Sequence, residues 1–557
     1  MYSIGIDYGT ESGRVLILNL ANGEEMATVV VPYRHGVIDD VLPETGEPLP
    51  PDWALQDPDD YIHVLTEGIP AALAKAGIRG EEVIGIGIDF TSCTVLPVTR
   101  DGIPLCALPE WRRNKHAWVK LWKHHAAQRI ADRINEVAAA RGETFLSRYG
   151  GRISSEWYFP KLLEVFEEAP EVYAACDRFI EATDFIVWFL TGREVRNSCT
   201  AGYKAMWSEE EGLPSDDFFR ALHPSFTQPA EKLGTTFYPL GTRAGYLRPD
   251  VADMLGLTTR VAVAVGNVDA HVSVPGCGVS EPGTLVMVMG TSICHLTVTK
   301  EEIRLPGITG VVKDGILPGW YGYEAGQAAV GDMFAWFVQH AVPGDYFAAA
   351  EKAHLNIYEH LERLAARFAP GETGLVALDW WNGNRSILGD ADLTGVIAGL
   401  TLASTPEAVY RALLESTAFG TRRIVENFQA HGVAIRDLAA CGGIAHKSPL
   451  LMQIYADVCG LPVTVRASSE IPARGAAMFG AVAAGPEAGG FRTIQEASAA
   501  LAPPVLRVYQ PNGAAKSVYD RVYAIYKDLY EMLGQSRVDL LHALKRIRLD
   551  VTGSQRI

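Results

Sequence analysis

Two stretches of the chain, Ile4 to Leu18 and Thr284 to Val298, share one pattern: an apolar run, a turn rich in Gly and hydroxyl residues, and a second apolar run. Each predicts a strand, a tight turn and a strand. Glycine lets such a turn approach a ligand closely, and its backbone N–H groups suit phosphate oxygens. A single copy is typical of an ordinary edge hairpin. Two copies, about half a chain apart, predict two related domains that face each other across a cleft and each offer one turn to a nucleotide.

Asp7 ends the first apolar run, where the second copy has Met289. A carboxylate repels phosphate unless a cation lies between them, and Mg²⁺ prefers oxygen ligands while keeping much of its water shell. We therefore predict that Asp7 binds Mg²⁺ through water, and that the second turn contacts phosphate oxygens only. The nucleotide is expected to contact both turns and a later glycine turn that would accept a flat adenine ring. These residues are Gly9, Thr10, Glu11, Ser12, Arg14, Gly290, Thr291, Ser292, Gly442 and Gly443.

The composition is that of a globular protein with room for two domains, at 557 residues, 48% hydrophobic and 21% charged. A net charge of -17 argues against a nucleic-acid surface, which needs clustered Lys and Arg. The eight cysteines form no C-x-x-C pair, and we expect them to be reduced. Met1-Tyr2-Ser3 leads directly into a predicted strand, so we expect no signal segment, no membrane span and a cytoplasmic location.

Two buried strands are predicted to end at polar residues. Val83 to Ile88 runs into Asp89-Phe90-Thr91-Ser92, and Val261 to Val265 runs through Gly266-Asn267-Val268 to Asp269. Ligands of open α/β sheets bind at this carboxyl edge. Asp269 is our candidate for a general base, although an Asp at this position would also serve to cap the helix that follows.

Four markers stand in a fixed order along the chain: the turn Asp7 to Arg14, Gly266-Asn267-Val268-Asp269, Gly290-Thr291-Ser292, and Cys441-Gly442-Gly443. In this order they resemble the FGGY carbohydrate kinases, a branch of the actin-like ATPases, over nearly the whole chain. The resemblance implies an α/β protein with two actin-like, ribonuclease H-like domains facing each other across a catalytic cleft. We place these domains at residues 1–260 and 261–557. It also implies that ATP and Mg²⁺ are used, that Asp269 accepts the proton of the sugar hydroxyl, and that Asp269 shares the Mg²⁺ site with Asp7.

A sugar pocket needs acids that accept hydrogen bonds from hydroxyl groups, and a Lys or amide that donates to oxygen. Glu324 and Lys204 fit these roles, and Ser92 or its backbone is expected at the pocket wall. An isolated Lys is usually solvated, but the neighbouring Tyr203 and Trp207 predict a partly covered setting for Lys204.

The expected substrate is a ketopentose. Five stretches resemble family members that phosphorylate such sugars: residues 89–94, 154–157, 199–204, 322–327 and 379–385. Xylulose and glycerol kinases of the family carry a Gln-containing segment near the position of Phe90-Thr91-Ser92, which speaks against those substrates. The expected partners are a neutral sugar and ATP, and a homodimer is left open.

Three other functions compete with this hypothesis. The runner-up is a kinase for another ketose or polyol, such as xylulose or a ribitol-type substrate. An actin-like or chaperone ATPase would share both turns, but it would not need Lys204 and Glu324 to face Asp269. A glycosidase with Asp7 and Asp269 as its acid pair would explain neither the glycine turns nor their duplication.

Three features are left outside the predicted site. His124 and His125 are neighbours and cannot both face one point on a helix, so we expect no metal there. Trp380 and Trp381 form a pair of the kind that more often anchors a loop than stacks on a ligand. Residues 517–533 predict an amphipathic closing helix, with Val518, Val522, Ile525 and Leu529 on one face.

Overall fold

The repeated hairpins lie inside two seven-stranded sheets in the computed structural model, which describes residues 1–552. The strands in this part of the chain are β1 (Tyr2–Tyr8), β2 (Ser12–Asn19), β3 (Glu25–Pro32), β4 (Leu55–Gln56), β5 (Val83–Phe90), β6 (Val95–Val98), β7 (Val119–Lys120), β8 (Arg178–Glu181), β9 (Arg243–Tyr246), β10 (Ala262–Ala264), β11 (Asn267–Val268), β12 (Thr284–Met289), β13 (Ile293–Thr299), β14 (Gly310–Lys313), β15 (Tyr321–Gln327), β16 (Val376–Leu378), β17 (Val396–Ala398), β18 (Asp437–Cys441), β19 (Val463–Arg466) and β20 (Val505–Tyr509). The α-helices are α1 (Pro58–Ala76), α2 (Gln128–Arg141), α3 (Tyr158–Glu168), α4 (Pro170–Ala175), α5 (Ala182–Thr191), α6 (Ser198–Lys204), α7 (Asp216–Leu222), α8 (Ala230–Leu233), α9 (Pro249–Leu255), α10 (Asp269–Gly276), α11 (Gly331–Ala341), α12 (Gly344–Lys352), α13 (Ile357–Ala365), α14 (Pro406–Ala430), α15 (Gly443–Lys447), α16 (Pro449–Cys459), α17 (Ile471–Ala484), α18 (Ile494–Leu501), α19 (Gly513–Glu531) and α20 (Asp539–Thr552).

The two large sheets share one strand order and one pattern of strand directions. Neighbouring strands run β3-β2-β1-β5-β10-β9 in the first sheet and β15-β13-β12-β18-β19-β20 in the second. In both sheets the hairpin strands are antiparallel, the next two pairings are parallel, and the last pairing is antiparallel. The duplication seen in the two turns therefore extends to the sheets that carry them.

The polar strand ends of the first sheet meet at one edge. Asp7 on β1 pairs opposite Asp89 on β5, and Asp89 pairs opposite Asn267 on β11. Asp269 follows β11 directly and is the first residue of α10. Because these strands are parallel, their carboxyl ends lie together, as expected for a ligand site in an α/β sheet.

The first sheet contains strands from both sides of residue 260. Strands β10 and β11 pair with β5, so they lie in the first sheet rather than the second. Helix α17 also packs on this sheet, although it comes from the last part of the chain. A Cβ atom at Gly5 or Gly87 would lie 1.7 and 1.8 Å from carbonyl oxygens of that helix, so the close contact requires glycine. The pairing of β10 and β11 and the packing of α17 thus bring later parts of the chain onto the first sheet.

A lobe with its own hydrophobic core is attached to the first sheet. Its core draws on residues between Cys93 and Leu233, including side chains of α2, α3 and α7. Strands β7, β6 and β8 of this part of the chain form a separate small sheet with β4, which comes from an earlier segment. The segment Trp111 to Ala127 is made of turns, a 3₁₀ turn at Lys115–Ala117 and the short strand β7, and it contains no α-helix.

Helix α19 buries its tyrosines more deeply than the predicted aliphatic residues. Its buried residues are Tyr519, Tyr523, Tyr526 and Tyr530. Val518, Val522 and Leu529 are half-buried, and Ile525 is 54% exposed. Each of these tyrosines has a hydrogen-bond partner for its hydroxyl group, and a phenol ring can fill a core when its hydroxyl is satisfied.

None of the helices in residues 1–552 combines the length and the apolarity needed to cross a membrane.

Candidate active site

Asp7 lies at the end of β1 and is almost completely buried. Its Oδ2 atom is 3.3 Å from Nη1 of Arg14, which stands opposite it on β2. Burial raises the pKa of Asp7, and the attraction of Arg14 opposes that rise. Arg14, which is expected to contact the nucleotide, is thus paired with Asp7, the predicted metal ligand.

Asp89 is a second carboxyl group beside Asp7. It is 0% exposed; its carboxyl group is in hydrogen-bonding contact with that of Asp7, and no N–H group of the described residues donates to its oxygens. Burial, together with the negative charges of Asp7 and Asp269, raises the pKa of Asp89 well above its usual range. Two neighbouring buried carboxyl groups without enough donors suit either a shared proton or a divalent cation.

Asp269 faces both groups from the start of α10. Its Oδ1 atom accepts a hydrogen bond of 2.6 Å from the N–H of the adjacent Ala270. The N-cap position of α10 is Val268, and no side chain caps this helix, so Asp269 does not have the capping role that the sequence left open. Burial and the charge of Asp7 raise the pKa of Asp269 to about 7, while the Ala270 N–H group opposes this. Such a carboxyl group can exchange a proton near neutral pH.

Lys204 and Glu324 form a buried ion pair beside Asp269. Lys204 Nζ lies 2.9 and 3.0 Å from the two carboxylate oxygens of Glu324, and His271 Nε2 lies 3.2 Å from Oε2. Burial alone would raise the pKa of Glu324, but Lys204 and His271 hold it well below its usual range. Burial would lower the pKa of Lys204, but Glu324 raises it to about 12. Both members of the pair are therefore charged at neutral pH.

Ser92 lies in the turn that follows β5 and is half-buried. The next residue, Cys93, has a left-handed backbone with φ of 61°. The charge of Lys204 acts on the Cys93 thiol, which places this turn near the ion pair. The three predicted sugar contacts, Ser92, Lys204 and Glu324, are thus brought together with Asp269.

The first hairpin turn is held by backbone and side-chain contacts. Gly9 N–H donates to the carbonyl of Ser12 at 3.0 Å, and the Thr10 hydroxyl accepts from the Trp122 indole at 3.1 Å. Ser12 is half-buried, whereas Glu11 is exposed and takes no part in the charge pairs of the site. Of the first-turn residues, Glu11 has the weakest structural link to the cleft.

The second turn has a similar closure and leads into a helix. Gly290 N–H donates to the carbonyl of Ser292 at 2.9 Å, and Val330 N–H donates to the carbonyl of Thr291 at 2.8 Å, next to the start of α11. Gly442 has a φ of 92°, and a Cβ atom there would lie 2.3 Å from the carbonyl oxygen of Met289. The glycine turn that includes Gly443 therefore lies against the strand that carries the second phosphate turn.

The arrangement combines the groups that phosphoryl transfer needs. Two glycine turns offer backbone donors, two carboxyl groups offer oxygen ligands for a cation, and a third carboxyl group with a near-neutral pKa faces an ion pair suited to a polar ligand. Charged groups from both sheets act on Asp269, through Asp7 on β1 and Glu324 on β15.

Family profiles cover most of this structure. The "FGGY family of carbohydrate kinases, N-terminal domain" matches residues 2–276, and the C-terminal domain of the same family matches residues 285–484. The chain belongs to the FGGY family of carbohydrate kinases. It is a sugar kinase, and the two-domain actin-like fold that the resemblance implied is confirmed by its structural neighbours.

Relatives of this FGGY kinase match it along nearly its whole length. A protein named ribulokinase from Geobacillus thermodenitrificans is 54% identical over 545 residues, covering 98% of this chain and 96% of the relative. One from Mycolicibacterium smegmatis is 48% identical, covering 98% and 96%. Among solved structures, xylulose kinase from Rhodospirillum rubrum has a TM-score of 0.78 at 22% identity, covering 97% of this chain and 100% of that one. Plasmodium falciparum glycerol kinase with ADP has a TM-score of 0.76 at 15% identity, covering 96% and 98%.

Two residues of the FGGY kinase site were not assigned a role from the sequence. Asp89 ends a buried strand just as Asp7 does, so the same local signal could have identified it. His271 is the third residue of α10, and only the folded chain shows that it contacts Glu324. The adjacent histidines have separate partners: His124 bonds Glu164 at 2.9 Å, and His125 lies 3.7 Å from Glu156. Trp380 is fully buried, as expected for a loop anchor, and Trp381 packs at 5.6 Å from Trp336.

Proposed function

We propose that this protein is a ribulokinase. It transfers the γ-phosphoryl group of ATP to the 5-hydroxyl of L-ribulose and gives L-ribulose 5-phosphate and ADP, a step of L-arabinose breakdown. The observation that carries the proposal is the buried ion pair of Lys204 and Glu324 next to Asp269, in a chain whose relatives at 54% identity bear the name ribulokinase.

The ion pair suits a neutral, oxygen-rich substrate. Glu324 accepts hydrogen bonds from sugar hydroxyl groups, and Lys204 donates to the carbonyl or a hydroxyl oxygen. Because the two charges compensate each other, the pocket carries little net charge from this pair. Ser92 and its backbone complete the wall beside Lys204.

Asp269 acts as the general base. As the sugar hydroxyl attacks the γ-phosphorus, Asp269 takes its proton, the new O–P bond forms, and the bond to the β-phosphate oxygen breaks to release ADP. A pKa of about 7 leaves a large part of Asp269 ionised at neutral pH and gives a usable acceptor. The Ala270 N–H group keeps one carboxylate oxygen in place.

Mg²⁺ fits the carboxyl groups at the end of the first sheet. Asp7 and Asp89 are buried side by side, and the oxygens of Asp89 lack donors. We assign these two groups, with Asp269 through water, as the residues that hold the cation. When bound, Mg²⁺ neutralises phosphate charge during transfer.

The nucleotide lies across both hairpins. The two turns, with Gly9, Thr10 and Ser12 in the first and Gly290 to Ser292 in the second, contact phosphate oxygens. The donors are hydroxyl groups and backbone N–H groups other than those of Gly9 and Gly290, which close the turns. Gly442-Gly443 lies against the adenosine. Glu11 and Arg14 are weaker members of this set, because Glu11 is exposed and Arg14 is paired with Asp7. Closure of the two domains on sugar and ATP would exclude water and limit hydrolysis.

That this protein forms a homodimer and that it is cytoplasmic both stay predictions.

A coupled ADP-release assay tests the proposed substrate. Purified protein with Mg·ATP is given L-ribulose, D-ribulose, D-xylulose, ribitol and glycerol in turn, and kcat/KM is compared. The highest value is expected with L-ribulose. A clear preference for xylulose or a polyol would replace ribulokinase with another kinase of the family, and sugar-independent ADP release alone would favour an ATPase.

A further inference from the structure

Lys161 in α3 is a lysine buried without an acidic partner. Its side chain is 0% exposed, and no carboxylate lies within ion-pair distance of it in residues 1–552. Its ammonium group has three donors, and Nζ lies 2.7 Å from the carbonyl of Cys93, 2.7 Å from that of Leu121 and 3.5 Å from that of Trp122. Backbone carbonyls of two separate segments therefore take up the whole donor capacity of Lys161.

Burying this ammonium group is costly. Burial lowers the pKa of Lys161 to about 8, which shows that the charged form is disfavoured where it lies. A methionine would fill a similar volume without that cost. The contacts of the Lys161 ammonium group thus show one role for its charge, which is to hold backbone carbonyl groups in place.

Both segments that Lys161 holds belong to the proposed site. Cys93 is the left-handed residue directly after Ser92, so its carbonyl sets the shape of the turn at the sugar-pocket wall. A non-glycine residue in that conformation needs support from its surroundings. The other segment ends in Trp122, whose indole N–H donates to the hydroxyl of Thr10 in the first phosphate turn at 3.1 Å.

We infer that Lys161 is a positioning residue for the kinase reaction, which ties the sugar-wall turn at Ser92-Cys93 to the segment that supports the first phosphate turn. It contacts neither sugar nor ATP. The inference rests on the proposed function for its kinetic consequences, but its structural consequence is independent of the substrate. Without the ammonium group, both segments lose their common attachment and the sugar wall is held less well.

The matched pair of variants is Lys161→Met and Lys232→Met. Lys232 belongs to the same lobe, and its ammonium also donates to two backbone carbonyls, those of Tyr173 and Cys176, away from the residues of the site. Each substitution removes a lysine that joins two carbonyls. Lys161→Met is expected to raise the KM for L-ribulose at least about tenfold, the factor that corresponds to one charge-assisted hydrogen bond. Lys232→Met should leave that KM within about twofold of the unsubstituted protein.

Lys161→Gln keeps N–H donors on a shorter, uncharged side chain, so its KM should fall between those of the unsubstituted protein and Lys161→Met. Lys161→Gln also provides the test of the inference if Lys161→Met does not fold. An unchanged sugar KM in both Lys161 variants would overturn the inference while leaving the ribulokinase proposal intact.

Amide hydrogen exchange measures the structural consequence without any substrate. In Lys161→Gln or Lys161→Met, peptides covering residues 90–95 and 119–123 should both exchange faster, while the same peptides in Lys232→Met should not. Faster exchange in only one of the two segments would overturn the link between them. If the unsubstituted protein fails to phosphorylate L-ribulose, the proposed function fails, and hydrogen exchange still decides whether Lys161 joins the two segments.

Discussion

Lys204 and Glu324 form two contacts of 2.9 and 3.0 Å although 120 residues separate them in the chain. Lys204 ends α6, which contacts β11 of the first sheet and β14 of the second, and Glu324 lies on β15 of the second sheet. The pair therefore lies where the two sheets meet. A sugar bound there would contact both domains.

Glu324→Gln should weaken sugar binding because it removes the acceptor and leaves the Lys204 charge buried without its partner. We expect the KM for L-ribulose to rise at least about tenfold and the KM for ATP to change little. Breaking a buried pair should also lower the free energy of unfolding by about 3–5 kcal/mol. Steady-state kinetics and denaturant unfolding measure these effects.

Glu415→Gln is the control for that variant. Glu415 forms an equally buried ion pair with Arg411 at 2.7 Å within α14. It should lose stability without a change in sugar KM. An equal rise in sugar KM in both variants would show that lost stability, rather than the pocket, explains the effect.

The activity should depend on pH through Asp269. Its pKa of about 7 means that the base is increasingly protonated below neutral pH, so kcat/KM for the sugar should fall about tenfold per pH unit below that value. Asp269→Asn should abolish this dependence in the residual activity. A profile that stays flat from pH 8 to pH 5 would contradict the role of Asp269.

The same raised pKa predicts how stability depends on pH. The ionised carboxylate is disfavoured in the folded protein, so it costs stability above pH 7, and this cost disappears below the ordinary value of 3.8. Asp269→Asn should therefore raise the Tm at pH 8 and have little effect near pH 4. A variant that is less stable than the unsubstituted protein at pH 8 would contradict this cost of the ionised carboxylate.

Asp89→Asn should weaken the metal site, because Asp89 adds a second buried carboxyl group beside Asp7. At a fixed ATP concentration, the Mg²⁺ concentration for half-maximal activity is expected to rise about tenfold or more. Asp437→Asn changes a carboxyl group at the other end of the second sheet, bonded to Thr284, and should leave the Mg²⁺ requirement unchanged. Equal Mg²⁺ requirements in the two variants would remove Asp89 from the metal site.

Gly442→Ala should disturb nucleotide binding, because the added Cβ would meet the carbonyl of Met289 at 2.3 Å and displace the strand before the second phosphate turn. We expect the KM for ATP to rise about tenfold. Gly432→Ala is the matched control, since Gly432 has a similar φ of 89° and nothing within 4 Å of the added atom. Gly432→Ala should lower the free energy of unfolding only by the backbone cost of a positive φ, about 1–2 kcal/mol. The same ATP KM in both variants would contradict the contact.

The sequence predicts local features of this molecule well. The two hairpins and the polar strand ends at Asp7 and Asp269 follow from short-range patterns, and the structure places these two strand ends at one edge of the first sheet. Their duplication indicates two related domains, because a strand and its turn are specified by adjacent residues.

Features that depend on contacts between residues far apart in the chain could not be predicted from those short-range patterns. The return of α17 to the first sheet depends on glycines at residues 5 and 87, which only the packed helix explains. The buried tyrosine face of α19 depends on hydroxyl partners such as Glu415 and Asp379. The contact of His271 with Glu324 joins two elements that the sequence alone does not bring together.

The product formed from L-ribulose and Mg·ATP is the measurement that bears most closely on the function. Phosphorus NMR of the reaction should show L-ribulose 5-phosphate and ADP in equal amounts. Asp269→Asn should bind ATP with nearly unchanged affinity while kcat falls about 10²–10⁴-fold. Release of ADP without sugar phosphate, phosphorylation at another hydroxyl, or near-normal turnover by Asp269→Asn would contradict a ribulokinase that uses Asp269 as its base.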